Sequence, residues 1–287
     1  MTDDASTDFT VLLPTYAGDD AGELDTALAS CFDQTRRPDE LLVVEDGPLT
    51  DTLDATLDEW ERRYPDTLRR HALAENGGLG NALRIGVDAA RNPWVARFDA
   101  DDYNVRTRFE TQCRYVADNP DVDVLGGYIA EFADDPENVL ARREVPTTHT
   151  EIERMARFRS PMNHGTVLLR REAVLSAGNY RPVTRMEDYD LWIRLLCDGA
   201  RFANLPEVLV HVRAGDELAG RRGGLEYARA EVRRQVEFYR RGFTSLPVFL
   251  FNVATRTTLR LVPDGIRRRV YARFAREQSR SVERGQS

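Results

Sequence analysis

The sequence contains no lysine. All 40 basic residues are arginine, set against 48 acidic residues, for a formal net charge of −8 over 287 residues. Cysteine is scarce too. Cys31, Cys113 and Cys197 are odd in number, widely spaced and without a CxxC pair, which excludes a disulfide framework and a zinc site and reads as reduced, buried thiols. The N-terminus, MTDDASTDFT, carries acids where a secretory signal has basic residues followed by a long apolar run, so the chain is expected to stay in the cytoplasm. No apolar run approaches the ~20 residues that span a bilayer; LPVFLFNVA, within residues 245–262, is far shorter. With 41% hydrophobic and 31% charged residues, the composition excludes both a disordered chain and a multi-span membrane protein.

The net charge hides two opposite halves. Residues 1–150 hold 14 arginines and 32 acids, a balance of −18, whereas residues 221–287 hold 16 arginines and 6 acids, a balance of +10. An acid-rich, lysine-free chain suits an extremely halophilic, archaeal cytoplasm, where salt screens the self-repulsion of the acids over a few Å. A GC-rich genome that favours arginine codons is the alternative, and the acidic first half favours salt.

Short apolar runs alternate with amphipathic stretches through the first half, the pattern of a parallel sheet with helices on its faces. The spacing predicts strands at 9–13, 40–45, 68–73, 93–99 and 122–127. Helices are expected near 51–63, 77–90 and 106–118, with a further helical stripe on Leu24, Ala27, Leu28, Cys31 and Phe32. Beyond 139 the expected elements are VLARREV, a helix near 149–157, the strand GTVLLR, helices near 171–177 and 187–197, and two short strands around Pro206. From about 222 the chain reads as basic helix, with Leu225, Ala228, Val232, Val236 and Tyr239 on one apolar stripe.

The strongest chemical signal is Asp99-Ala100-Asp101-Asp102, directly after the apolar strand. In extended backbone residues i and i+2 point the same way. Asp99 and Asp101 can therefore address one divalent cation or one nucleotide from the C-terminal end of a strand, the edge where open α/β sheets bind ligands. An acidic turn would use the same residues; a place fourth in a βα series favours the ligand. Pro14, Thr15 and Tyr16 end the first strand and Glu45, Asp46 and Gly47 the second. A ring and a carboxylate there can stack on a base and hydrogen-bond its polar edge, although turn chemistry alone accounts for Pro14 and Gly47. Asn76-Gly77-Gly78 opens a helix and suits backbone approach to a phosphate. It follows the third strand rather than the first, which disfavours a nicotinamide enzyme. Glu187 and Asp188 stand at a helix start, where acids serve as capping and dipole partners or supply a general base.

Taken in order, VLLPTY (11–16), LLVVEDG (41–47), NGGLGNAL (76–83), FDADD (98–102) and EDYDLWIRL (187–195) resemble the motifs of family-2 glycosyltransferases of the GT-A fold, over about residues 9–213. The resemblance implies an α/β fold with a mostly parallel sheet and helices on both faces. The expected domain is 1–220, with a nucleotide-sugar half at 9–105 and an acceptor half at 106–220, followed by a basic amphipathic helical appendage at 221–287. It places the base and ribose of a nucleotide-diphosphate sugar at Pro14, Thr15, Tyr16 and Asp46, with Asn76 and Gly78 beside the donor. Asp99 and Asp101 hold the ribose and a divalent metal, Mg²⁺ or Mn²⁺, and Asp188 is the base. Glu45 stands where the family often has Asp. His211-Val212-Arg213 loosely matches the basic strand after the catalytic helix, so His211 either approaches the metal or is a half-buried strand histidine. Asn163-His164-Gly165 either lines the acceptor side or is a plain loop.

The implied reaction is a single inverting displacement onto a glycan or a polyprenyl-phosphate-linked acceptor, with no nucleic-acid partner. Alternatives are a nucleotidyltransferase, which needs a basic glycine-rich loop where PTYAGDD is acidic, and a catalytically silent nucleotide-sugar-binding protein. The basic tail either lies on the inner face of the cell membrane, with arginines toward anionic headgroups, or packs on the sheet or a second subunit.

Overall fold

Strand β1 (Phe9–Thr15) is buried along its whole length, and that accounts for its unbroken apolar sequence. Phe9, Val11 and Leu13 belong to one side-chain cluster and Leu12 to another. The same division splits β2 (Glu40–Glu45), with Leu41 and Val43 in the first cluster and Leu42 and Val44 in the second. The first cluster is completed by α1 (Ala21–Phe32), α2 (Asp51–Arg63) and α4 (Arg108–Asp118), the second by α3 (Leu79–Ala89), α6 (Arg171–Ser176) and α7 (Glu187–Cys197). Helices cover both faces. Local signals set their ends: the Asp20 carboxylate accepts the Gly22 and Glu23 N–H groups at the start of α1, and the Thr50 hydroxyl accepts that of Leu53 at the start of α2.

This computed structural model describes residues 7–133, 135–183, 185–214 and 225–261. The remaining strands are β3 (Leu68–Ala72), β4 (Trp94–Arg97), β5 (Tyr103–Asn104), β6 (Val124–Phe132), β7 (Val139–Arg143), β8 (Leu168–Arg170) and β9 (Phe202–Arg213). The sheet order is β3-β2-β1-β4-β8-β6-β9-β5, with β7 on β6. The first four strands are parallel, as is the β6–β9 pair. Antiparallel pairing enters with β8, which lies between β4 and β6, and with β5 and β7.

The structure differs from the sequence expectation in several places. Residues 202–213 form one strand instead of two: Leu205 pairs with Gly127 and Val208 with Tyr128, so Pro206 and Glu207 bulge out of the ladder. Proline has no N–H to give, and a bulge lets the strand continue past it. The two-residue β5 was not foreseen. Cys197 is exposed at the end of α7, while Cys31 and Cys113 are buried; all three are free.

Helices α8 (Leu225–Arg240) and α9 (Leu246–Leu261) follow. Helix α8 does not bury the expected stripe. Glu231, Gln235 and Phe238 face inward, Val232 and Val236 are half-buried, and Tyr239 is exposed. Polar partners decide the orientation: Glu231 pairs with Arg256 at 2.8 Å, Asn252 donates to Gln235 Oε1 and to the Arg157 carbonyl, and Arg234 reaches Asp190 on α7 at 3.1 Å. The Phe238 ring meets Tyr189 edge-on. Outward, α9 leaves Leu246, Leu250 and Phe251 uncovered. The side chains of Leu225 and Ala228, the boundary expected at 220 and residues 262–287 lie outside the described residues. Among the described residues no helix is long and apolar enough to cross a membrane.

Candidate active site

After β3 the chain crosses back to place β4 on the other side of β1. Such a reversal of strand order opens a crevice at the C-terminal ends of the strands. A cleft of about 410 Å³ lies there, lined by Pro14, Thr15 and Tyr16 from the end of β1, Asp46 beyond β2, Asn76 and Gly78 before α3, and Asp99 and Asp101 beyond β4. The sequence nominated all of these. It did not nominate Asp19, Leu79 or Ala82, which complete the walls.

The Asp46 carboxylate is the organiser of one wall. Its two oxygens accept the Gly77 and Gly78 N–H groups at 2.7 and 2.9 Å, and its carbonyl accepts the Asn76 side chain. The glycine amides expected to approach a phosphate are therefore already engaged, and Asp46 fixes the loop through them. Gly47 makes the close approach feasible: its φ is +89°, and a Cβ there would stand 2.7 Å from the Asn76 nitrogen. Across the cleft mouth, Asp19 accepts both the Thr15 hydroxyl and the Tyr16 N–H. Burial pushes the Asp19 carboxyl above its ordinary value, against those two hydrogen bonds. The Tyr16 side chain is left 43% exposed beside the cleft.

Beyond β4 the charges are unbalanced. Arg97, wholly buried, holds one oxygen of Asp99. Burial opposes its charge, but Asp99, Tyr180 and Asp102 outweigh that and keep its proton on. Withdrawal of water within the cleft, with repulsion from Asp99 and Asp19, pushes Asp101 up to about 6. Asp102, buried and accepting the Arg213 N–H at 3.1 Å, is pushed well above the carboxylate range by burial, then by Asp99 and Asp101. Arg97 and, behind it, the buried Arg108 thus face three clustered carboxyl groups, which leaves this corner short of positive charge.

Helix α7 brings the acid pair to the same place. Met186 precedes it in the left-handed conformation, φ +61°, a strained choice for a non-glycine residue. A Cβ on Gly80 would lie 3.5 Å from that of Glu187, so the starts of α3 and α7 touch. Burial pushes Glu187 up to about 7, with Asp188 and Asp99 adding repulsion and Arg97 relieving it. Asp188 Oδ2 accepts the Ser160 hydroxyl at 3.2 Å.

His211 does not line the cleft. It pairs with Tyr103 across β9 and β5, and its Nδ1 is bonded to the Pro136 carbonyl. Asn163 donates to the Gly127 and Arg143 carbonyls, and His164 bonds the Tyr180 hydroxyl at 2.9 Å. Burial, then Arg97, holds His164 well below its usual range and hence neutral. Both side chains tie the core together. Among the described residues no group of three or more His, Cys, Asp or Glu side chains is arranged to hold an ion.

Comparison with known proteins adds to this geometry. Residues 10–178 match the profile of Glycosyl transferase family 2. A UDP-Gal:alpha-D-GlcNAc-diphosphoundecaprenol beta-1,3-galactosyltransferase of Escherichia coli is 35% identical over 96% of this chain and 99% of its own. An amylovoran biosynthesis glycosyltransferase of Erwinia amylovora is 34% identical over 92% and 97%. These relatives are bacterial and lend no support to the archaeal source that composition suggests. Among solved structures, S. aureus TarS 1–349 in complex with UDP-GlcNAc superposes with a TM-score of 0.63 at 18% identity, over 80% of this chain and 66% of that one. A mannosyltransferase of Pyrobaculum calidifontis in complex with GDP-Man and Mn²⁺ gives 0.63 at 20% identity, over 88% and 70%. The fold is shared with both.

Proposed function

The chain belongs to glycosyl transferase family 2 and is a glycosyltransferase, and we propose that it moves a sugar from a nucleoside-diphosphate donor to a hydroxyl of a lipid-linked or growing surface glycan by one inverting displacement. The observation that carries this reading is that Asp99 and Asp101 line the cleft and that Glu187, next to Asp188, lies close enough to feel the charge of Asp99. Pro14, Thr15, Tyr16 and Asp46 take the base and ribose at the strand ends. Asn76 and Gly78 form the wall behind them.

The corner around Asp99 and Asp101 fits a divalent cation. Its donors are hard oxygens, it is short of positive charge, and a cation that keeps its waters needs one or two carboxylates plus substrate phosphates. Bound there, Mg²⁺ or Mn²⁺ supplies a Lewis acid for the departing diphosphate. Asp101 and the free oxygen of Asp99 would hold it, with Arg97 paired to the other Asp99 oxygen. Asp188, oriented by Ser160, takes the proton from the acceptor hydroxyl as that oxygen attacks the anomeric carbon. The acidic loop after β1, with Asp19 and Asp20, argues against a nucleotidyltransferase, and the intact carboxylate set argues against a silent binding protein.

A lipid-linked acceptor is supported by the named substrate of the E. coli relative. Peripheral contact with the cytoplasmic face of the membrane is supported by the uncovered Leu246, Leu250 and Phe251 on α9 and by the basic C-terminal residues. The lysine-free, acid-rich composition supports work at high salt. Incubating the purified chain with labelled sugar nucleotides, Mn²⁺ and a sugar-diphosphate-lipid acceptor, at low and high salt, tests these readings. Sugar transfer is expected; release of pyrophosphate, or no turnover at either salt, refutes it.

A further inference from the structure

A second concavity, of about 550 Å³, lies between the sheet, where Tyr128 and Val145 wall it, and α5 (His149–Ala156) with the turn that follows, which contributes Arg154, Phe158 and Arg159. Donor binding does not use it. Its lining is of two kinds. Arg154 and Arg159 are exposed, and among the described residues neither side chain has an ion-pair or hydrogen-bond partner. The acid on the same wall, Glu151, is engaged by the Thr148 hydroxyl at 2.7 Å. Phe158, 43% exposed, meets Phe251 of α9 edge-on with ring centroids 6.4 Å apart. From there Phe251 and Leu250, 57% and 56% exposed, continue an uncovered apolar face.

One edge of the groove is tied to helix α7, which carries the acid pair. Ser160 stands one residue beyond Arg159 and donates to Asp188 at 3.2 Å. The Tyr189 hydroxyl holds the Ala156 carbonyl at 2.7 Å and fixes the end of α5 against α7. Proton acceptor, unpaired arginines and apolar face are therefore neighbours, and they match the hydroxyl, diphosphate and hydrocarbon of a lipid-linked sugar.

The geometry points to this groove as the acceptor subsite, with Arg154 and Arg159 taking the diphosphate through their planar donors and Phe158, Phe251 and Leu250 taking the first isoprenoid units. This rests on the lipid-linked acceptor proposed above. The test is fluorescence anisotropy of the full chain with nitrobenzoxadiazole-labelled geranyl diphosphate below its critical micelle concentration. Binding is expected to survive saturation with UDP and Mn²⁺, to weaken at least tenfold in the Arg154→Gln/Arg159→Gln double variant, and to weaken similarly in Phe158→Ser/Phe251→Ser. Both variants should keep wild-type UDP affinity and wild-type melting temperature. Displacement of the probe by UDP, or wild-type probe affinity in both variants, overturns the assignment. Displacement by inorganic pyrophosphate as effectively as by unlabelled geranyl diphosphate makes the groove a plain anion site and overturns its lipid part. If the wild-type chain transfers sugar but binds no probe, the groove assignment fails and the proposed function stands; if no sugar nucleotide is bound or transferred, both fail.

Discussion

In the ligand-free protein the Asp101 carboxyl titrates at about 6 instead of 3.8, because the cleft withdraws water from it and Asp99 and Asp19 repel its charge. Folding therefore favours the protonated form. The stability this contributes is full below the unfolded value of 3.8 and is lost as pH rises through 6. Asp101→Asn keeps the shape and removes the charge. Two pKa units at 1.36 kcal/mol each amount to about 3 kcal/mol. The carboxyl is open to solvent at the cleft mouth, and screening leaves roughly 1–1.5 kcal/mol. In a chain of this size that gain corresponds to a rise in melting temperature of about 2–5 °C. Differential scanning fluorimetry with EDTA should show the full rise at pH 8, a smaller one at pH 5 and none below 3.8. Mn²⁺ with UDP should stabilise the wild type and leave the variant unmoved, and the variant should lose divalent-ion-dependent turnover. A variant no more stable than wild type at pH 8, or one whose gain persists below pH 4, refutes the repulsion from which the cation site is argued.

Glu187, pushed up to about 7, ionises in the working range. Glu187→Gln should remove the inflection near pH 7 from the profile of kcat; an unchanged inflection assigns it to another group. Gly47→Ala places a Cβ at positive φ against the Asn76 nitrogen and is expected to cost about 1–3 kcal/mol and to weaken UDP binding through the Asp46-held loop, so unchanged melting and affinity would contradict that packing. Arg256→Ala removes the 2.8 Å ion pair to Glu231, 3% exposed, and the hydrogen bond to the Phe158 carbonyl. A loss of about 1–3 kcal/mol and faster amide exchange in α8 and α9 are expected, and exchange unchanged in both helices contradicts the polar docking.

The cleft at the strand ends was legible because its residues sit where strand ends must be. Pro14, Asp46 and Asp99 each follow an apolar run buried on both faces, and a short unbroken apolar run between turn residues reveals itself without a partner. What escaped depended on partners brought together by the fold. Arg97 read as part of the β4 strand, and only the burial of its guanidinium beside Asp99 gives it a role. Ser160 is 28 residues from Asp188. Asp19 lies in an acidic run where nothing marks one carboxylate over its neighbours. Both readings of His211 stayed open in the sequence because its direction follows from the pairing of β9 with β5, a strand of two residues that carries no periodicity. The stripe on α8 was misread for a related reason: hydrophobic spacing marks a face able to be buried, but Gln235 and Glu231 found Asn252 and Arg256, and the polar face went in.

The most direct test of the central claim is the single-turnover rate of sugar transfer by Asp188→Asn at saturating donor and Mn²⁺. General-base catalysis by Asp188 predicts a rate lower by about 10²–10⁴-fold, with UDP affinity and melting temperature at wild-type values. A rate within threefold of wild type would contradict it.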